Sequence, residues 1–266
     1  MMKFAIGQMV SGDDKAANLA EISRLTEEAA AAGARLVVFP EFAMFDVPTL
    51  DEEFVKQGEP LDGPFVTGLA ELSRRTGVSI VAGMLESIDG EPRGYNTLVL
   101  VTPAEGLSRV YHKLHLYDAF GFLESDHIRP GDIAGPVTFT VDDVTVGMLT
   151  CYDLRFPEVA REHADAGVDL LLYPAAWMPG ARKEDHWNTL ARARAIENTL
   201  YVAAVSQGPG VGTGGSIIVD PMGITLGEIG ESTGIAVADA RPERIAQVRS
   251  VNPSLANRRF TVVASA

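Results

Sequence analysis

Apolar and polar positions along the chain follow two periods in turn. Residues 4–10 form a short apolar run and read as a strand. Residues 18–32 keep Leu19, Ile22, Leu25 and Ala29 on one helical face and Glu21, Arg24 and Glu28 on the other, and Gly33 stops the helix. Residues 36–39 are continuously apolar, as in a strand covered on both faces. The same alternation predicts a helix over 66–76, closed by Gly77, and strands over 79–84 and 96–102 on either side of a Gly90/Pro92/Gly94 turn region. It goes on with strands over 137–139 and 144–149, a helix over 156–166 and a buried strand over 170–173. A longer helix over 184–198 and strands over 200–206 and 216–219 complete the pattern. Residues 208–215 read as a loop: they are rich in glycine but lack the lysine of a phosphate-binding loop. No linker divides the chain, so 1–266 reads as a single domain.

The chain carries an internal echo. Ala32-Gly-Ala-Arg-Leu-Val-Val-Phe-Pro40 resembles Ala166-Gly-Val-Asp-Leu-Leu-Leu-Tyr-Pro174, each with a helix before it. Two such halves predict a pseudo-twofold α/β fold. Two sheets stacked face to face with helices outside, a four-layer α-β-β-α sandwich, would satisfy it.

Composition narrows the partners. With 22 basic and 36 acidic residues the formal net charge is −14, which argues against nucleic acid and anionic membrane surfaces. No stretch approaches the roughly 18–20 apolar residues that span a bilayer. The N-terminal apolar run is too short for a secretory signal, and a single cysteine rules out an intramolecular disulfide. A reducing, cytoplasmic setting is the expectation.

That cysteine, Cys151, ends the apolar run 144–151 and precedes Tyr152-Asp-Leu-Arg-Phe-Pro-Glu158. The thiol therefore sits at the end of a strand, on a turn before a helix, where an α/β protein presents a nucleophile. Simple packing as a small apolar residue is the other reading. Glu41 follows a buried strand directly, a costly position for a carboxylate unless it caps a turn, pairs with an arginine or works there. Lys113 is a cation among Val110, Leu114 and Leu116, which a surface lysine on an edge strand would also explain. Together the three could hydrolyse an amide. Glu41 would take the thiol proton, Cys151 would attack the carbonyl, and Lys113 with the backbone N–H of Tyr152 would stabilise the oxyanion.

At this point the residues resemble the nitrilase superfamily of carbon–nitrogen hydrolases. The resemblance rests on Val37-Val-Phe-Pro-Glu41-Phe, Tyr111-His-Lys113-Leu-His-Leu and Cys151-Tyr-Asp-Leu-Arg-Phe-Pro-Glu158, in that order, and continues through Tyr173-Pro-Ala-Ala-Trp177, His186-Trp187 and residues 193–198. It implies the same α-β-β-α sandwich. It also implies Glu41 as base, Lys113 as oxyanion-stabilising cation and proton relay, Cys151 as nucleophile, and no metal or organic cofactor. Glu124 matches a second glutamate that would hold Lys113, although the preceding loop 117–123 is shorter than in many relatives. The implied activity is ammonia release from a small linear amide through a thioester, in an amidase-like branch. N-carbamoyl compounds and nitriles are alternative substrates, and a catalytically silent oligomeric scaffold is an alternative of another class. The implied partner is a second copy of the chain, in a homodimer or larger homo-oligomer, with the tail 241–266 reaching across.

Other residues are less specific. Trp177 lines the pocket or packs in the core. Arg155 binds a substrate carboxylate or serves the structure. His112, His115, His163 and His186 read as structural, and Arg192, Arg194 and Glu197 as an ion-pair network or a subunit contact.

Overall fold

The protein is described by a computed structural model over residues 1–263. Two blocks of three parallel strands organise it. In the first block β1 (Met2–Gln8), β2 (Leu36–Val38) and β3 (Ser79–Glu86) run parallel. They are joined by α1 (Lys15–Ala31) and by α2 (Glu52–Val55) with α3 (Pro64–Thr76). β4 (Gly94–Thr102) and β5 (Gly106–His112) add to β3 antiparallel. A two-stranded hairpin, β6 (Asp118–Ala119) and β7 (Phe122–Leu123), and a short β8 (Ile128–Arg129) alongside β4 lead out of this half.

The second block repeats the plan. β9 (Thr138–Val141) pairs antiparallel with β10 (Val144–Met148). β10, β11 (Leu170–Ala175) and β12 (Tyr201–Ser206) run parallel, joined by α4 (Pro157–Asp165) and α5 (Lys183–Asn198). β13 (Ser216–Val219) and β14 (Thr225–Ile229) follow antiparallel. β15 (Gly234–Ala240) then crosses back to lie antiparallel beside β1, and α6 (Pro242–Val251) closes the fold. The main paths, β15-β1-β2-β3-β4-β5 and β9-β10-β11-β12-β13-β14, agree strand for strand in direction. The repeated string falls on β2 and β11, the third strand of each path.

The apolar pattern explains the layering. Phe4, Ile6, Leu36, Val38 and Val81 of the first sheet share one core with Val144, Val146, Met148, Leu170 and Leu172 of the second. Ala5, Val37, Ile80, Val99 and Val101 face the other way, onto Ile22, Leu25 and Ala29 of α1 and Phe65, Val66 and Leu69 of α3. Helices α4 and α5 cover the second sheet through Ala160, Ala164, Trp187, Ala191 and Ala195. This is the expected α-β-β-α sandwich, and it buries both faces of the parallel strands.

Some boundaries differ from the sequence reading. The first strand starts at Met2 and ends at Gln8, before Val10. β14 and β15 were not predicted, because their exposed and half-buried positions break the apolar run. The segment after Arg241 does not simply extend away from the domain. It begins with α6, whose Ile245 and Val248 are buried on this chain and whose Arg244 pairs with Asp220. Beyond it, residues 260–263 are exposed, and the last part of the predicted tail, 264–266, lies outside the described residues.

Gly83 on β3 shows how tightly the site is built into the sheet. A Cβ there would lie 2.6 Å from the Glu41 Cα and the Phe42 nitrogen and 2.7 Å from the Pro40 oxygen. The same turn is held by Gly83 N–H donating to Pro40 O at 3.0 Å and Met44 N–H donating to Gly83 O at 3.1 Å. Gly83→Ala should therefore displace Glu41 and cost about 1–3 kcal/mol by overpacking. Thermal unfolding together with turnover checks this, and an alanine variant with unchanged melting and activity would refute it.

Candidate active site

Parallel strands in open α/β sheets leave ligand crevices at their carboxyl ends. Here the ends of both sheets meet. Glu41 lies just past β2 and is 2% exposed. Its Oε2 accepts the backbone N–H of Ala176, just past β11, at 2.6 Å. The two repeats thus touch through one carboxylate. Its Oε1 accepts Lys113 Nζ at 2.9 Å and Asn96 Nδ2 at 2.7 Å.

Lys113 follows the end of β5 and is not the exposed edge lysine that its position allowed: it is 2% exposed. A second carboxylate completes its setting. Glu124 Oε2 accepts Lys113 Nζ at 2.8 Å and the Tyr117 N–H at 2.6 Å, while its Oε1 accepts Asn96 Nδ2 at 2.9 Å. Burial alone would drag the Lys113 ammonium down, but Glu124, Glu41 and Cys151 outweigh it and hold it well above the usual lysine range. Two of its three donors are committed to carboxylates, which leaves the third for a ligand.

Cys151 opens a 3-10 turn, Cys151–Arg155, with φ of 45°. That left-handed backbone at a non-glycine residue is the strained elbow expected of a presented nucleophile. Asp153, fully buried, braces it. It accepts the Thr150 N–H at 2.9 Å and the Tyr111 hydroxyl at 2.6 Å, and bonds the backbone and ring of His115 at 3.1 and 2.7 Å. Burial, then the Glu41 charge, pushes the Cys151 thiol well above its ordinary value, against the pull of Lys113. The resting sulfur therefore keeps its proton beside a carboxylate.

Comparison with known proteins adds the family. The carbon–nitrogen hydrolase model matches residues 3–250. The chain is 36% identical to a deaminated glutathione amidase of Escherichia coli over 97% of its length and 98% of that protein's. Nit3 of Saccharomyces cerevisiae, described as a member of branch 10 of the nitrilase superfamily, superposes with a TM-score of 0.86 at 29% identity, covering 97% of both chains. A double mutant of the amidase from Nesterenkonia sp. AN1, solved in complex with acrylamide, superposes with a TM-score of 0.83 at 25% identity, covering 97% of this chain and 94% of that one. The chain belongs to the carbon–nitrogen hydrolase family.

In this carbon–nitrogen hydrolase Glu41, Lys113, Glu124 and Cys151 all line one cavity of about 390 Å³. Trp177 satisfies both of its readings. It lines that cavity, and it packs at 5.1 Å from Trp187 with its indole N–H donating to Lys183 O at 2.8 Å. The Tyr152 ring lies outside the lining and packs edge-on to Tyr117 at 5.2 Å, so only its backbone N–H, next to the thiol, remains suited to a ligand. Three of the four histidines read as structural have such partners: His112 bonds Glu86 at 2.8 Å, His115 bonds Asp153, and His163 bonds Val159 O at 2.8 Å, whereas His186 Nδ1 is buried without a partner among the described residues. Arg194 pairs with Glu197 at 2.7 Å and bonds Leu154 O at 3.0 Å, tying α5 to the cysteine turn.

Three lining or neighbouring residues escaped the sequence reading. Asn96 bridges the two glutamates; its only signal was an amide inside an otherwise apolar strand. Lys183 lies just before the helix expected over 184–198 and opens the observed one. Asp46 was not singled out at all, yet it is 9% exposed and lines the cavity. Burial, then the Glu41 charge, pushes its carboxyl up to about 8, with a backbone bond from Val47 opposing. Its folded-state affinity for the proton exceeds the unfolded one, so it costs stability as pH rises from about 4 to about 8. Asp46→Asn removes that cost. The stability advantage of the variant should grow by about 1.4 kcal/mol per pH unit between about pH 5 and 7. Denaturant unfolding of both proteins across that range measures it, and a difference that stays flat with pH contradicts it.

Proposed function

We propose that this carbon–nitrogen hydrolase is an amidase that releases ammonia from a small linear amide through a thioester on Cys151. The observation that carries the reading is the buried Lys113 ammonium, bonded to Glu41 at 2.9 Å and Glu124 at 2.8 Å beside the thiol. As the carbonyl carbon approaches, Glu41 takes the Sγ proton and sulfur attacks. The oxyanion is met by the remaining Lys113 donor and the Tyr152 N–H. The intermediate collapses with cleavage of the C–N bond, and Glu41 returns the proton to the leaving nitrogen, which departs as ammonia. Water then enters, Glu41 takes its proton, and the hydroxide adds to the thioester. Expulsion of the thiolate gives the acid, and the proton on Glu41 goes back to sulfur. Glu124 contributes by holding Lys113 in place.

A charge count supports base catalysis over a standing thiolate. Two carboxylates against one ammonium already leave an excess negative charge, so a thiolate would add a second in a buried site. Candidate substrates are ω-amides of dicarboxylic acids and amides like deaminated glutathione, the latter supported by the Escherichia coli relative. The acrylamide complex of the Nesterenkonia amidase supports a small amide in this kind of cavity. The same reading has the protein acting as a homodimer or larger homo-oligomer in the cytoplasm. The exposed Phe260 and Val263 side chains are consistent with a second copy as partner.

Ammonia release across ω-amides, aliphatic amides, N-carbamoyl amino acids and nitriles tests the class. Release from an amide should vanish in Cys151→Ala and fall by about 10²–10⁴-fold in Glu41→Gln. Removing the Glu41 charge should at the same time lower the pH at which a methanethiolsulfonate reagent labels Cys151. Activity from carbamoyl compounds or nitriles alone would move the protein to another branch. A panel without turnover, together with a Cys151 that labels like an ordinary thiol, would favour the silent scaffold.

A further inference from the structure

Two cations stand against the same wall of the cavity without an anion. Lys183, at the first position of α5, is 5% exposed and lines the cavity. Its Nζ donates to the Tyr117 hydroxyl at 3.0 Å. The ammonium also lies 4.8 Å from the ring centres of Tyr117 and Phe120 and 5.0 Å from that of Trp177. On the same indole, 4.8 Å from its centre, rests the Arg155 guanidinium. Its Nε and Nη2 are buried and have no hydrogen-bond partner among the described residues. Neither cation forms an ion pair among those residues, although the chain carries 14 more acidic than basic side chains.

This arrangement costs free energy as it stands. Aromatic faces attract a cation but return only part of its lost hydration. The two charges also repel each other: burial, then Arg155, pulls the Lys183 ammonium down, with Cys151 opposing. Of the groups that bear on Lys183, Arg155 is a cation and Cys151 a resting thiol, and no carboxylate pairs with the ammonium among the described residues. A buried charge without a partner marks a place where the partner arrives with a ligand. Around Lys113 the cavity already holds two carboxylates, so an anion would be repelled there and attracted to Lys183.

We propose that Lys183 is a specificity-determining residue that receives a carboxylate on the substrate at the wall formed by Tyr117, Phe120 and Trp177, with Arg155 adding a second positive charge over the same indole. This deepens the amidase reading and rests on it for its kinetic test. The amide end meets Cys151, and the anionic end meets Lys183. Two donors of the ammonium remain after Tyr117 takes one, enough for a carboxylate.

The experiment compares succinamate with its methyl ester, which has the same amide but no charge, on wild type, Lys183→Met and Lys183→Arg. Wild type should prefer succinamate. In Lys183→Met the ratio of kcat/KM for acid over ester should fall by about 10–100-fold, chiefly through KM for the acid, and Lys183→Arg should recover part of it. An equal fall for both substrates in Lys183→Met would mean that the lysine only supports the fold, and would overturn the proposal. If neither amide is hydrolysed, the amidase reading fails on its own, and binding decides the Lys183 question. Succinate should slow labelling of Cys151 in wild type, and about tenfold more succinate should be needed in Lys183→Met. Equal protection in both proteins, or protection in neither, would refute an anion site at Lys183.

Discussion

The buried Lys113 ammonium between two glutamates is the constraint that the rest of the structure serves. Removing three charged groups from water is expensive, and their mutual attraction offsets it only when every lone pair and proton finds a partner. Here each one does. Asn96 bridges the two carboxylates from β4, Ala176 N–H meets Glu41 from the end of β11, and Tyr117 N–H meets Glu124. The donors come from both sheets and from the loop between them. The register of β4 and the approach of β11 to β2 are therefore set by the electrostatics of one ammonium as much as by apolar packing. Any slip by one residue would turn Asn96 to the other face, leaving Glu124 Oε1 without a donor and Glu41 Oε1 with Lys113 alone.

The same constraint explains which parts of the site were legible in the sequence. Glu41, Lys113 and Cys151 stand out because each is a chemically unusual residue next to a buried apolar strand. The layers were legible because strands covered on both faces must be continuously apolar, and the repeated string fell on the third strand of each sheet path. Asn96 was hidden because a neutral amide in a strand carries little signal until its partners are known. Those partners lie 55 and 28 residues away in sequence, and only the folded register brings them to it. β15 escaped for a related reason. Its half-buried, glycine- and alanine-containing sequence shows no strong period, and its place beside β1 is a pairing across almost the whole chain. Asp46 and Lys183 carry no distinguishing signal in the sequence, because burial is a property of the fold and not of the residue.

The cysteine turn shows how strain and charge are held together. Cys151 has a left-handed backbone, and the turn is kept there by Asp153, whose two oxygens collect bonds from Thr150, Tyr111 and His115. A histidine beside a catalytic cysteine invites reading as its base. In this site its ring stacks on Phe156 at 3.7 Å and bonds Asp153, so it braces the elbow from behind. The proton acceptor facing the sulfur is the Glu41 carboxylate. Because the resting thiol sits above its ordinary value, the proposed reaction couples proton transfer to attack, and a bystander electrophile gains little from the site.

The cavity is therefore polarised. Its deep end holds Glu41, Glu124, Lys113 and the thiol, with an excess of negative charge, while Lys183 and Arg155 lie against its aromatic wall with an excess of positive charge. In water such a separation would be screened over about 10 Å, but inside a partly enclosed, aromatic-lined cavity it is screened much less. A ligand with a neutral amide at one end and an anion at the other lies along this field in one orientation and against it in the other. Orientation of that kind brings the carbonyl to the sulfur without any contact at the reacting carbon. It also accounts for an otherwise unfavourable feature, a buried lysine and a half-buried arginine that form no ion pair among the described residues of an acidic protein. Their desolvation is a standing cost of the free enzyme, and a bound anion offsets it only at the moment when the amide is in position to react.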